Sequence, residues 1–227
     1  MRKQIGIQGC HGESRLCVAA ARSLKWALLL LALGLLSACA TNVTVTSQVP
    51  RPLVERLPLD ARLHLTDEFV NYVYLEDDKK RTITSLEFGA AQVNMFRKVL
   101  GGMFNVTEDP SAPVDLIVTP KVLSVQYSAP RETQLNIYEV FLKYRINITN
   151  GAGDEIADWV ITGYGKTPTA QFKGAEVAFD AATNVALRDV GAQITIGIPL
   201  QKSIRKLVSK ASETGPIAPS TASEASQ

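Results

Sequence analysis

The side chains with the widest chemical scope in this sequence are three cysteines and two histidines. Cys10, Cys17 and Cys39 could form a disulfide, ligate a metal or supply a nucleophile. His11 and His64 could act as a general base or as metal ligands. The segments that contain these five residues decide which of the roles are possible. The sequence around Cys39 is the most informative of them.

An apolar run lies just before Cys39. Residues 26–36 read Trp-Ala-Leu-Leu-Leu-Leu-Ala-Leu-Gly-Leu-Leu, and the basic residues Arg22 and Lys25 precede them. Eleven residues are too few for a helix that spans a hydrocarbon core of about 30 Å. The order of charge, apolar run and small residues predicts a secretory signal peptide. The segment 1–24 is long for the basic region of such a peptide, and a start codon further along the gene is one explanation.

The tetrapeptide Leu36-Ser37-Ala38-Cys39 resembles the lipobox of bacterial lipoproteins. The resemblance implies that the Cys39 thiol is diacylated and that the chain is cut between Ala38 and Cys39. An Asp just after the cysteine commonly retains such proteins in the inner membrane, and Ala40 stands here instead. The resemblance therefore implies a protein anchored in the outer membrane and facing the periplasm. Two or three acyl chains would hold it there without a spanning helix.

Loss of residues 1–38 would leave one thioether sulfur and one histidine, His64. No intramolecular disulfide, cysteine zinc site or cysteine nucleophile is then expected. A lone histidine is more often a surface residue or a satisfied core residue than a metal ligand or a catalytic base, because a base needs a partner within hydrogen-bond reach. The acidic run 76–78 is followed at once by the basic run 79–81, which favours a solvated, self-neutralising turn. We expect neither a metal nor a cofactor.

The segment Gly163-Tyr-Gly-Lys-Thr167 partly matches a phosphate-binding P-loop. That motif needs a glycine five residues before its last glycine, where this chain has Val160. Pro168 follows directly, so we interpret the segment as a strand end that runs into a loop at 164–170. The sequence has no Gly-x-Ser-x-Gly nucleophile elbow. These features favour a non-enzymatic protein, and a hydrolase remains the third alternative.

Charge argues against a nucleic-acid partner. The whole chain has 24 basic and 22 acidic residues, but residues 1–38 hold five of the basic ones and one acid. The remainder, 19 basic and 21 acidic residues, has a net charge of −2. No basic footprint for nucleic acid is left.

Composition divides the chain into four parts. Residues 1–38 form the signal peptide, and residues 39–59, which contain Val49-Pro-Arg-Pro52, are predicted to form a flexible tether. Residues 60–210 are long enough for one compact periplasmic α/β domain. Residues 211–227 are rich in Ser, Ala, Thr and Pro and are predicted to be a disordered tail.

Hydrophobic periodicity predicts the elements of this domain. The predicted strands are 61–65, 115–119, 122–127, 137–149 and 156–164, and the predicted helices are 88–104, 175–196 and a short basic one within 199–210. In the second helix, Glu176, Asp180, Asn184 and Arg188 form a polar stripe four residues apart. Its many alanines would let the backbone approach a sheet closely. The order of elements predicts a two-layer α/β (α+β) sandwich, with a mostly antiparallel sheet and two main helices.

The strand 137–149 defines the expected buried and exposed faces of the sheet. Apolar or aromatic residues occupy every second position from Tyr138 to Ile148. The other face carries Glu139, Lys143 and Arg145, with Phe141 as the exception. Phe141 could mark a contact patch, or it could be covered by a helix. We expect the second, because the sheet must meet helices on some face.

The element order is similar to that of small proteobacterial outer-membrane lipoproteins, such as accessory lipoproteins of lipopolysaccharide transport, curli secretion and peptidoglycan-synthase activation. The resemblance implies a lipid-anchored, non-enzymatic accessory or assembly factor that docks to an envelope protein complex. A carrier or sensor of an apolar ligand, held between sheet and helices, is the second hypothesis. The expected partners are the membrane, through Cys39, and an envelope protein.

Overall fold

The computed structural model describes residues 41–78, 81 and 83–214. The strands are β1 (Thr41–Thr44), β2 (Asp60–Leu63), β3 (Val73–Leu75), β4 (Ile83–Glu87), β5 (Asn105–Val106), β6 (Leu116–Ser128), β7 (Ile137–Thr149) and β8 (Glu155–Pro168). The helices are α1 (Asp67–Val70), α2 (Gly89–Met103), α3 (Pro130–Thr133), α4 (Ala175–Leu200) and α5 (Lys202–Thr214), and a 3₁₀ turn spans Thr169–Gln171. Among these helices, none combines the length and the apolar character that a membrane span requires.

Two sheets organise the chain. The larger has the strand order β5-β2-β6-β7-β8, and the smaller has the order β1-β4-β3. β6, β7 and β8 form long antiparallel pairs, whereas β2 runs parallel to β5 and to β6. In the smaller sheet, β4 pairs parallel with β1 and antiparallel with β3. The α+β sandwich predicted from the sequence is confirmed, and its long strands are the antiparallel ones.

The two long helices cover one face of the larger sheet. α4 packs on β7, β8 and α2. The buried side chains of β7 are those that the alternation predicts: Tyr138, Val140, Leu142, Tyr144, Ile146 and Ile148. Each large apolar side chain removed from water in this way contributes about 1.5–3 kcal/mol. All of the described core lies between Val43 and Ala211. The compact unit that starts at Thr41 therefore carries its own hydrophobic core.

One polar residue is built into the centre of this core. Gln92 of α2 is fully buried. Its Nε2 donates to the carbonyl oxygen of Phe69 at 2.6 Å, and its Oε1 accepts from the Tyr144 hydroxyl at 2.9 Å. Burial raises the pKa of Tyr144 well above its ordinary value, so the phenol stays protonated and keeps this donor. The single interruption in the apolar face of α2 is thus a satisfied hydrogen-bond bridge between helix and sheet.

The prediction of a flexible tether over 39–59 is wrong for the first half of that segment. Residues 41–44 form β1, which pairs parallel with β4. Val43, Val45 and Val49 are buried in the core. The physical reason is a short alternation of apolar and polar residues, Val-Thr-Val-Thr from Val43, which supplies one apolar face to a sheet. We call residues 41–52 the strap.

Three other boundaries differ from the predictions. β6 is one strand through Pro120, because β2 ends opposite Val118 and β6 shifts register between Val122 and Ser124. β8 continues to Pro168 instead of entering a loop at Tyr164. α5 extends to Thr214, so the predicted disordered tail is wrong for 211–214. The rest of that tail, 215–227, lies outside the described residues.

Candidate functional site at the docked strap

The predicted lipidation site lies outside the described residues. This holds for Cys39, for Ala38 at the predicted cut and for the whole segment 1–38. His64 is described, and its side chain is exposed in a shallow depression that Arg97 and Glu108 also line. Within the described part of the chain, no cluster of three or more His, Cys, Asp or Glu side chains is arranged as a metal site.

The partial P-loop match is a helix-packing site. Gly163 and Gly165 lie inside β8, opposite Leu142 and Val140 of β7. A Cβ atom on Gly165 would come within 2.1 Å of the carbonyl oxygen of Ala182 in α4. The two glycines and the alanines of α4 therefore allow backbone-to-backbone contact between helix and sheet, as the alanine content of α4 predicts.

The polar stripe of α4 holds the strap. Asp180 Oδ1 accepts from the backbone N–H of Thr46 at 3.3 Å, and Asn184 Oδ1 accepts from that of Gln48 at 2.9 Å. Arg188 Nη2 donates to the carbonyl oxygen of Gln48 at 3.3 Å. The four-residue spacing of the stripe matches successive turns of the helix. The spacing was visible in the sequence, but its partner was not, because that partner lies more than 130 residues away.

A further contact holds the strap from its other side. On the α2 side, Lys98 Nζ donates to the carbonyl oxygen of Val49 at 3.1 Å. Burial raises the pKa of Asp180, and the hydrogen bond from the Thr46 amide lowers it in part. The strap is therefore fixed by polar contacts to its backbone on both sides, and by its valines below.

An apolar groove lies between the strap and α4. It has a volume of about 320 Å³. Its lining comes from the strap, from α2 and from one face of α4: Val49, Pro50, Pro52, Val99, Arg188, Gly191, Ala192, Thr195 and Ile196. Of the described residues in this lining, Arg188 alone is charged. Ile196 is 64% exposed, and Leu200 continues the same face of the helix at 63% exposure. The groove exists because the strap is docked.

A second depression surrounds Arg81. Its guanidinium contacts Glu76 at 3.0 Å and Glu132 at 3.2 Å, donates to the carbonyl oxygen of Tyr127 at 3.0 Å, and lies 4.6 Å from the centre of the Tyr127 ring. Burial raises the pKa of Tyr127 to about 12, with a further contribution from the charge of Glu76. Glu76 also accepts from the hydroxyl of Tyr74. The acidic run is thus neutralised in part by the following basic run, as predicted, but the prediction that the turn is solvated is wrong at Glu76, whose side chain is mostly buried.

Phe141 stands at the edge of this second depression. It is 36% exposed. Its ring stacks on that of Tyr164 at 4.8 Å between centroids, and the Tyr164 hydroxyl donates to Glu139 at 2.5 Å. The expectation that a helix covers Phe141 is therefore wrong: α4 packs on the opposite face of β7, and a neighbouring strand supplies the aromatic cover.

Comparison with known proteins gives structural likenesses only. No protein-family model matches the sequence, and no curated protein matches it. The Xanthomonas campestris protein XCC0632, of family-model DUF330, is similar with a TM-score of 0.49 at 12% identity over 75% of this chain and 99% of that one. A minor lipoprotein from Acinetobacter baumannii has a TM-score of 0.37 at 16% identity, over 68% of this chain and 96% of its own. Lipoprotein B from Nitrosomonas europaea has a TM-score of 0.34 at 11% identity, over 71% of this chain and 92% of its own.

The ion pair of Arg81 predicts a pH-dependent loss of stability in Arg81→Met. Burial alone would raise the pKa of Glu76, but hydrogen bonds from the Asp78 amide and the Tyr74 hydroxyl, together with Arg81, lower it overall. The stabilising contribution of Glu76 is therefore present above its unfolded pKa, about 4.3, and is lost as the pH falls through the folded value. Arg81→Met is expected to lower the free energy of unfolding by about 2 kcal/mol at pH 7.

Urea unfolding at pH 7 and near pH 3 measures this effect. The difference in the free energy of unfolding between Arg81→Met and the wild type should shrink at the lower pH, because a protonated, neutral Glu76 no longer forms an ion pair with Arg81. Arg97→Met is the matched control: its partner Glu108 is 3.8 Å away and both side chains are well exposed, so a loss below about 0.5 kcal/mol is expected. An equal loss at both pH values would contradict the role assigned to Glu76.

Proposed function

We propose that this protein is a lipoprotein anchored in the outer membrane through acylated Cys39, facing the periplasm, and that it serves as a non-enzymatic accessory or assembly factor of an envelope complex. The docked strap is the observation that carries the proposal. It turns the segment just after the predicted lipidation site into part of the folded domain. The anchor would then position this domain instead of only tethering it.

Chain geometry gives the size of this effect. Cys39 and Thr41 are two residues apart, so their Cα atoms are at most about 7 Å from each other. A flexible tether over 39–59 would have a root-mean-square length of about 25 Å. A domain on the shorter connection stays at the bilayer surface. Such a position suits a protein that works beside a membrane-embedded partner, with the sheet face around Phe141 available for contact.

Cys39→Ser tests the anchor. Without the Cys39 thiol, the chain would be neither acylated nor cut by the lipoprotein peptidase. The protein should therefore leave the outer-membrane fraction and keep the mass of its precursor. Cys17→Ser is the control, because Cys17 lies within the segment that the proposal removes, and it should leave mass and fractionation unchanged. A Cys39→Ser product that fractionates with outer membranes at the normal shortened mass would overturn the proposal.

Proximity crosslinking in cells tests the accessory role separately. A photo-reactive residue at Phe141 should capture an envelope protein, whereas one at the exposed Glu68 of α1 serves as the surface control. Recovery of the same background from both positions would argue against a partner at this face while leaving the anchor intact.

A carrier or sensor of an apolar ligand is the second candidate function, and the apolar groove beside the strap supports it. Native mass spectrometry of residues 41–227 isolated from cells should then show a bound lipid that denaturation releases. A preparation that carries the protein mass alone would count against this candidate.

A further inference from the structure

We propose that the groove binds a single-chain anionic amphiphile, with its acyl chain along α4 and its carboxylate or phosphate headgroup at Arg188. This inference rests on the second candidate function and narrows it to one site and one ligand class. The groove has three properties that select such a ligand: its length along one helix face, its largely apolar walls, and the charge of Arg188 at one end.

The helix face sets the shape. Arg188, Gly191, Ala192, Thr195 and Ile196 are spaced at three, four, seven and eight residues, which places them on one side of α4. From the first to the last of them the helix rises about 12 Å at 1.5 Å per residue. The volume of about 320 Å³ lies at the lower end of the range for ligand sites, about 300–1,000 Å³. These dimensions fit one narrow chain.

The apolar walls of the groove favour a hydrocarbon chain over a polar one. Pro50 and Pro52 have no backbone N–H to donate. The hydroxyl of Thr195 donates to the carbonyl oxygen of Gly191 at 2.8 Å, so its hydrogen is already used within the helix. Val49 and Val99 supply buried apolar surface between the two walls. A ligand that lies here gains from burying hydrocarbon and would lose by burying a polar group.

The positive charge of Arg188 favours an anionic headgroup. A guanidinium has five N–H donors, and Arg188 uses one of its nitrogens on the Gln48 carbonyl. Its planar fork matches the oxygen pairs of carboxylates and phosphates. Lys98 lies on the other side of the strap, where its ammonium donates to the Val49 carbonyl, and it does not belong to the groove lining. Among the described residues, no acid lines the groove to compete for Arg188.

Titration calorimetry on residues 41–227, which carry their own core, tests the proposal with dodecanoate, dodecyl phosphate, dodecanol and dodecyltrimethylammonium below their micelle-forming concentrations. We expect the two anions to bind more tightly than the alcohol, and the cation to bind weakest. Arg188→Gln should weaken dodecanoate binding about tenfold, the size of one charge-assisted hydrogen bond, and leave dodecanol binding unchanged. Lys98→Gln, which also removes a cation bonded to the strap but lies outside the groove lining, should change both ligands less than twofold.

Blocking variants locate the site. Ala192 is exposed on the groove face, and Ala192→Trp should abolish binding of all four probes. Val177 is exposed on the same helix and lines the neighbouring cavity at its far end from Arg188, so Val177→Trp is the matched control and should bind normally. Ile196→Glu provides a second variant at an exposed position if the tryptophan disturbs folding, and it should repel the anions.

Several outcomes would overturn the inference. One is normal binding in both Ala192→Trp and Ile196→Glu, and another is loss of binding in Val177→Trp alone, which would place the ligand in the neighbouring cavity. A third is a dimer of residues 41–227 that Ala192→Trp dissociates and that binds no probe, which would make the groove an interface between copies. If native mass spectrometry shows a lipid that Ala192→Trp does not displace, the carrier function stands and the groove assignment fails.

Discussion

Gly165→Ala is expected to lower the free energy of unfolding by about 3–5 kcal/mol. The added methyl group would lie 2.1 Å from the carbonyl oxygen of Ala182 and 2.4 Å from the backbone nitrogen of Ala186. Both are main-chain atoms of α4, so no side-chain rotation relieves the overlap. The helix must move off β8, and the apolar contacts beneath it are weakened along with the contact itself.

Gly197→Ala is the matched control for this prediction. Gly197 is also in α4, but a methyl group there would meet only the Trp159 ring, at an ordinary contact distance of 3.6 Å. Alanine favours a helix over glycine by about 1 kcal/mol, so this variant should be as stable as the wild type or more so. Urea unfolding followed by circular dichroism compares the two. Equal midpoints for Gly165→Ala and the wild type would show that α4 does not lie on β8 as described.

The long strands β7 and β8, the two long helices and the sandwich could be predicted from the sequence because each rests on a local pattern. In β7 the alternation of apolar residues decides which face is buried, and it needs no knowledge of the partner strand. The helix predicted over 175–196 is confirmed as α4, because its period extends over several turns. Sequence reasoning was accurate where ten or more residues repeat one signal.

The strap, the groove and the Arg81 ion pair could not be predicted, because each depends on contacts between distant segments. Val43, Val45 and Val49 are too few and too close to prolines to indicate a core element alone. Glu132 reaches Arg81 from 51 positions further along the chain. The candidate site depends on the topology of the chain, because the parallel pairing of β1 with β4 places the strap beside α4. Only in that arrangement does the polar stripe of α4 bind the strap, and only then does the apolar face of α4 form one wall of the groove.

Val45→Asp is expected to release the strap while the rest of the domain stays folded. Val45 is 4% exposed, and its amide donates to the carbonyl oxygen of Glu87 at 2.9 Å. An unpaired carboxylate at this position must remain buried or leave with its segment. Release of the strap costs less than unfolding of the whole domain, because β1 lies at the edge of the smaller sheet and its removal leaves β7 and β8 paired. We expect the docked state to lose about 3 kcal/mol, which is more than a hundredfold in population.

Amide hydrogen exchange measures this release. The amides of Val45, Thr46 and Gln48, which donate to Glu87, Asp180 and Asn184, should lose protection, whereas those in β7 should keep it. Gln48→Glu adds the same charge to the same segment, but at an exposed side chain near Arg188, and should leave the strap protected. Unchanged protection of the three amides in Val45→Asp would contradict a docked strap. In the membrane-anchored protein, release would replace a connection of about 7 Å by up to about 45 Å of extended chain between Cys39 and Pro52. The same substitution should therefore separate the domain from the bilayer and also abolish amphiphile binding.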